Sequence, residues 1–242
     1  MDSNHRTRMR AEIKHHAWEQ LAVTGALSLN AIAKQLGMSG PALYRYFAGR
    51  DELITELVRD AYRSLADAVR LAYDGGADVI GLAGTIREWA LADPHRYFLV
   101  YSTPVPGYHA PEETTGLSFE TMTVLIDAHA ALTPGAVSPF DAHLETHCRW
   151  AGGASVPPAI LRRALSFWAR IHGVLSLELA GHFTGMDFDP ALFFAEEVRG
   201  LLADQAGHNA RTASGKPDTA RGPRRARVSK NPGRIDKSTG AT

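Results

Sequence analysis

Cys148 is the only cysteine among 242 residues, so no intramolecular disulfide can form and a disulfide-stapled scaffold is excluded. No apolar run approaches the roughly eighteen residues of a membrane helix. The opening Met1-Asp2-Ser3-Asn4-His5-Arg6 is polar and lacks the apolar stretch of a secretory leader, so a cytoplasmic, nucleoid-associated protein is expected. Alternating strand-like runs are scarce. No Gly-rich phosphate loop, G-x-S-x-G elbow or C-x-x-C pair occurs, so nothing supports catalysis and no cofactor is expected.

Net charge is also missing: 26 basic side chains balance 26 acidic ones. The balance is not local. Residues 1–50 carry a net +4, residues 51–210 a net −11 and residues 211–242 a net +7. Basic ends around an acidic middle point to a polyanion for the ends and another task for the middle.

Apolar residues instead recur every three or four positions through the first 205, which predicts an all-α protein. A first helix is expected over about 8–23, ended by Gly25. Ser28 caps a short helix through Leu36, and Gly37 supplies the left-handed stop. Ser39 caps a second short helix through Phe47, with Pro41 in its first turn. Asp51 is expected to cap a long helix reaching about Tyr73. Further helices are expected over 79–91, 94–100, 112–131, 140–149, 158–180 and 190–206, with a loop at 103–111. From Gly207 onward large apolar residues nearly vanish, so residues 208–242 read as a disordered basic tail. The expected domains are 1–50, 51–207 and this tail.

Two short helices joined by Gly37-Met38-Ser39 describe a helix-turn-helix over about 28–47. Ile32, Leu36, Met38, Leu43 and Phe47 can close a small core on Trp18 and Leu21. The start of the second helix, with Ser39, Gly40, Pro41, Ala42, Tyr44 and Arg45, is then free to enter a DNA major groove. Lys34, Tyr44, Tyr46 and Arg50 suit phosphate contacts, which position without specifying sequence. The run Leu43-Tyr44-Arg45-Tyr46-Phe47, followed by Arg50-Asp51-Glu52-Leu53, resembles the DNA-binding region of TetR-family transcriptional regulators. That resemblance covers about residues 8–60. It implies a three-helix DNA-binding head followed by a helical bundle for ligand binding and dimerisation.

A second likeness lies at Trp168-Ala169-Arg170-Ile171-His172-Gly173, which is similar to the W-x-x-x-H-G signature of one subgroup of TetR C-terminal domains. Two apolar stripes share this helix: Leu161, Leu165, Trp168, Leu175 and Leu179, beside Ile160, Ala164, Phe167, Ile171 and Val174. A helix apolar over so wide an arc is covered on two sides. Helices 158–180 and 190–206, the latter with Leu192, Phe193, Val198, Leu201 and Leu202, are therefore expected to build a homodimer interface. Candidate pocket residues for a small-molecule effector are Trp89, Tyr97, Tyr101, Met122, Trp150, Trp168 and His172, with Phe98 and Phe119 nearby.

His143 and His147 lie four residues apart beside Asp141, Glu145 and Cys148, but lack the H-E-x-x-H arrangement, so no metal site is assigned. The basic tail can add sequence-independent attraction to phosphates or serve as a spacer. The reading is a homodimeric, ligand-responsive repressor of a pseudo-palindromic double-stranded DNA operator. A non-specific architectural DNA-binding protein, and a ligand-binding or enzymatic protein with a vestigial head, remain as alternatives.

Overall fold

The computed structural model describes residues 3–101, 108–109, 111–132, 138–151 and 156–213, and among these it is all helix and turn. The order is α1 Ser3–Thr24, α2 Leu29–Gln35, α3 Gly40–Leu43, α4 Arg50–Asp74, α5 Val79–Ala92, α6 Pro94–Tyr101, α7 Glu112–Ala130, α8 Pro139–Leu144, a 3₁₀ turn Arg149–Ala151, α9 Pro158–Leu179 and α10 Pro190–Ala213.

The head forms because short amphipathic helices have one common place to hide their apolar sides. Ile13 and Ala17 of α1, Ile32 and Ala33 of α2, Leu43 and Phe47 after the turn, and Leu53, Ile54 and Leu57 of α4 make one buried core. Gly37, at φ 64°, ends α2 in the left-handed region that other residues avoid. Arg10 locks this core from α1: its guanidinium stacks 4.1 Å over Phe47, donates to the Tyr46 carbonyl, and pairs with Glu56 at 3.6 Å. Lys14 reaches Asp60 at 2.6 Å, a second tie between α1 and α4.

The body is built on the same long helix. Ala61, Leu65 and Val69 of α4 enter a larger core with α5, α6, α7, α9 and α10. Asp78 caps α5 by accepting from the Gly81 amide at 2.9 Å, and Asp93 accepts from the Arg96 amide at 3.0 Å where α6 begins. A smaller cluster joins Met122 and Ile126 of α7 to Leu144 of α8 and to Leu161 and Ala164 of α9.

Several expectations need correction. The head does not end at residue 50, because its core takes in the first turns of α4. The second short helix is α-helical only to Leu43; the Tyr46 amide then turns back to the Leu43 carbonyl at 2.8 Å, which tucks both Tyr46 and Phe47 inside. Ser39 sits at the N-cap but its hydroxyl makes no capping bond. Gly49, not Asp51, is the N-cap of α4, since the helix starts two residues earlier and Glu52 reaches back to the Ala48 amide. The helix expected over 140–149 is only six residues long, Pro139–Leu144, and is opened by a Ser138–Asp141 capping box.

α10 continues through Gly207 to Ala213, because one glycine costs a helix only about 1 kcal/mol and does not stop it. The rest of the expected tail, and most of the expected loop at 103–111, lie outside the described residues. Val198 and Leu201 are buried in the chain's own core rather than offered to a partner.

Replacing Phe47 with Ala removes the ring that α1 and α4 close upon. The expected cost is about 3–5 kcal/mol in urea unfolding followed by circular dichroism. A loss under about 1 kcal/mol would show that the head core does not depend on it.

Candidate functional site

The outer face of the helix-turn-helix keeps its polar and small residues available. Lys34, Ser39, Pro41, Tyr44 and Arg45 are exposed, Gly40, Ala42 and Arg50 are partly so, and Tyr44 retains 52% of its surface. Among the described residues Lys34 and Arg45 have no ion-pair partner, whereas Arg50 lies 3.9 Å from Asp51. Tyr46 departs from expectation. It is only 5% exposed and packs in the head core, so it is a structural residue and not a phosphate contact. Gly40 is not required by the fold, since a Cβ there would meet only the Asn30 side-chain oxygen at an ordinary 3.5 Å. A missing side chain at the leading edge of α3 instead favours close approach from outside.

The second constellation lies in the body between α6 and α9. Tyr101, Trp168 and His172 pack ring against ring, with centroids 3.9 Å apart for Trp168–His172 and 4.2 Å for Tyr101–His172. Tyr97 stacks on His172 at 5.6 Å. Its hydroxyl lies 3.1 Å from His172 Nδ1 and 2.9 Å from the Ser176 hydroxyl. Tyr62 of α4 meets Tyr101 edge-on at 6.2 Å.

Burial governs the protonation of this cluster. It lowers the His172 pKa to about 3, so the imidazole is neutral, and raises the phenol of Tyr101 well above its ordinary value. His172 Nε2 is enclosed and has no hydrogen-bond partner among the described residues. A buried nitrogen without a partner is unfavourable, and a bound molecule that supplies one removes that penalty.

Four of the seven pocket candidates thus come together: Tyr97, Tyr101, Trp168 and His172. Phe98 stands edge-on to Tyr97 at 5.7 Å. Trp89 does not join them; its indole N–H donates to the Ser64 hydroxyl at 3.1 Å within the α4–α5 core. Met122 and Trp150 belong to the neighbouring α7–α8–α9 cluster, and Trp168 packs against both clusters. Ser176 and Tyr62 were missed. Ser176 had a signal, four residues after His172 and hence on the same helical face. Tyr62 had none, because its neighbour Tyr101 lies far along the chain.

His143 and His147 stack face to face at 4.0 Å rather than converging on a point, and Asp141 is engaged by Arg162 at 2.7 Å. Among the described residues no group of three metal-ligating side chains occurs, and no helix is long and apolar enough to cross a membrane.

A helix-turn-helix head with an exposed basic and small-residue face, fused to a helical body, defines a DNA-binding transcriptional regulator. Residues 17–57 match the model of bacterial regulatory proteins of the tetR family, and residues 79–201 match the tetracyclin repressor-like C-terminal domain. The chain is 38% identical over 223 residues to the HTH-type transcriptional regulator Rv1816 of Mycobacterium tuberculosis, spanning 84% of this chain and 94% of that one. It is equally similar to the regulator Mb1846 of Mycobacterium bovis. Among solved structures, regulatory protein SCO4313 is 62% identical, with a TM-score of 0.80 over 84% of this chain and 99% of the other. A protein from Rhodococcus sp. RHA1 shares the fold at 21% identity and a TM-score of 0.61, over 81% of this chain and 95% of its own. The chain belongs to the TetR family of transcriptional regulators.

Arg45→Ala and Tyr44→Ala are each expected to weaken operator binding by about 1–3 kcal/mol in fluorescence anisotropy, with unfolding midpoints unchanged. Unaltered affinity in both would remove this face from the DNA contact. A second expectation concerns pH. Burial lowers the basicity of His172 and His129, so the unfolded chain binds protons that the folded chain refuses. Stability contributed by His172 is complete above about pH 6.5 and is lost as pH falls toward 3, at up to about 1.4 kcal/mol per unit. Urea midpoints between pH 4 and 7 should therefore fall less steeply for His172→Gln than for the wild type. Parallel profiles would show that His172 is not held neutral.

Proposed function

We propose that the chain acts as a homodimeric, ligand-responsive repressor that binds a pseudo-palindromic double-stranded DNA operator and releases it when a small-molecule effector binds. Ser39, Gly40, Pro41, Ala42, Tyr44 and Arg45 enter the major groove, while Lys34 and Arg50 hold phosphates. Its place of work is the cytoplasm, on the nucleoid, and catalysis has no part in its role.

The arrangement of α6 carries this reading. From one short helix, Tyr97 and Tyr101 reach into the effector cluster, Leu99 packs against the head core, and the Arg96 guanidinium sits 5.9 Å from the Trp18 ring of α1. Trp18 itself packs against both the head and body cores. An effector that parts Tyr101 from His172 therefore moves a helix on which α1 rests. Only a difference in the effector's affinity for the two head spacings shifts the population off the operator.

Dimerisation supplies the second half-site, since one short helix reads too few bases for useful specificity. The exposed side of α9 carries Ser166, Ala169, Gly173 and Leu177 at helical spacing, a face narrow enough for close packing against its own copy. Met186, Phe188, Leu192 and Phe193, all exposed, extend it into α10. A Cβ at Gly173 would meet nothing within 4 Å, so Gly173→Glu is tolerated by the monomer. The expected result is a monomer in sedimentation velocity, with unchanged helicity and operator affinity reduced at least about tenfold. A persistent dimer would move the interface elsewhere.

A further inference from the structure

The effector cluster does not account for a second buried polar pair, at the junction of α7 and α9. His129 is 0% exposed and Arg163 is 3% exposed. The His129 ring stands edge-on to Phe167 at 5.2 Å, and Arg163 lies one helical turn before Phe167. Arg163 is close enough to lower the basicity of the imidazole, though burial is the larger cause. The site is separate from the effector cluster: nine residues of α9, about 13.5 Å of helix, divide Arg163 from His172.

Each residue keeps one buried polar atom without a partner among the described residues. His129 Nδ1 lies 2.6 Å from the Leu125 carbonyl, so it carries the proton and donates it there. Nε2 then presents a lone pair, buried and without a partner among the described residues. The Arg163 Nη1 donor is likewise buried and unpartnered, and among the described residues Arg163 has no ion pair. Its neighbour Arg162 takes Asp141 instead, and adds a second positive charge nearby. A buried guanidinium without an anion is among the costliest arrangements in a protein interior.

The chemistry required of an occupant follows from these two atoms. Arg163 asks for an anionic acceptor, and His129 Nε2 asks for a donor. One guanidinium balances one negative charge, which favours a carboxylate over a phosphate dianion. We propose that His129 and Arg163 form a binding site for a small hydroxycarboxylate, its carboxylate on Arg163 and its hydroxyl donating to His129 Nε2. This site stands on α7 and α9 alone and does not rest on the effector reading.

The test uses the full-length protein with lactate, acetate, inorganic phosphate and chloride at matched ionic strength. Calorimetry should give saturable lactate binding, with acetate at least about tenfold weaker because it lacks the hydroxyl. Arg163→Met should abolish that binding. It should also raise the melting temperature of the ligand-free protein, because it removes an uncompensated buried charge while keeping a similar volume. The proposal is overturned if acetate or phosphate binds as well as lactate, or if lactate binding survives in Arg163→Met. A lower melting temperature for ligand-free Arg163→Met also overturns it, since Arg163 would then already have a counter-ion in the protein or its dimer.

Discussion

The apolar stripe of α4 is the constraint on which the rest of this molecule depends. A single helix of 25 residues buries Leu53, Ile54, Leu57 and Val58 in the head, then Ala61, Leu65 and Val69 in the body. Because the helix is continuous, neither core can rotate without turning the other. Burial of each large aliphatic side chain contributes about 1.5–3 kcal/mol, so this shared stripe is a substantial part of the stability of both. The head is therefore an outgrowth of the body's longest helix, not a bead on a linker.

Against that rigid spine, the contacts of α6 are modest and adjustable. A cation over an indole and one leucine at the edge of the head core are worth far less than the α4 stripe. A regulator needs this hierarchy. The strong element fixes which parts belong together, and the weak one leaves their angle adjustable without unfolding either. His172, enclosed beside α6, stays neutral near neutral pH, so this contact carries no charge of its own.

Much of the fold was legible from the residue order. Helical spacing, the glycine stop at Gly37 and the proline starts at Pro94, Pro158 and Pro190 are local signals, and the helices begin where those signals stand. The exposure of Lys34, Ser39, Pro41, Tyr44 and Arg45 was legible too, whereas Tyr46 is buried. Its polarity points outward, whereas the turn after Leu43 carries it inward. Local geometry of this kind depends on how α1 and α4 close over the turn, and a helical wheel does not contain it. The same limit applies to Val198 and Leu201, which have the spacing of an interface but lie against α9 and α5 of their own chain.

The zero net charge shows where the division falls. Its segregation into a basic head, an acidic body and a basic end is a property of residue order, as are the helix-turn-helix motif and the helical class. Periodicity and capping act over one or two turns, so the chain carries them wherever it goes. Tertiary structure alone decided that Tyr97, Tyr101, Trp168 and His172 meet while Trp89, Met122 and Trp150 do not. It alone left His129 Nε2 and Arg163 Nη1 buried without a partner among the described residues. Such juxtapositions depend on the packing angles of helices distant in sequence, which no local pattern encodes.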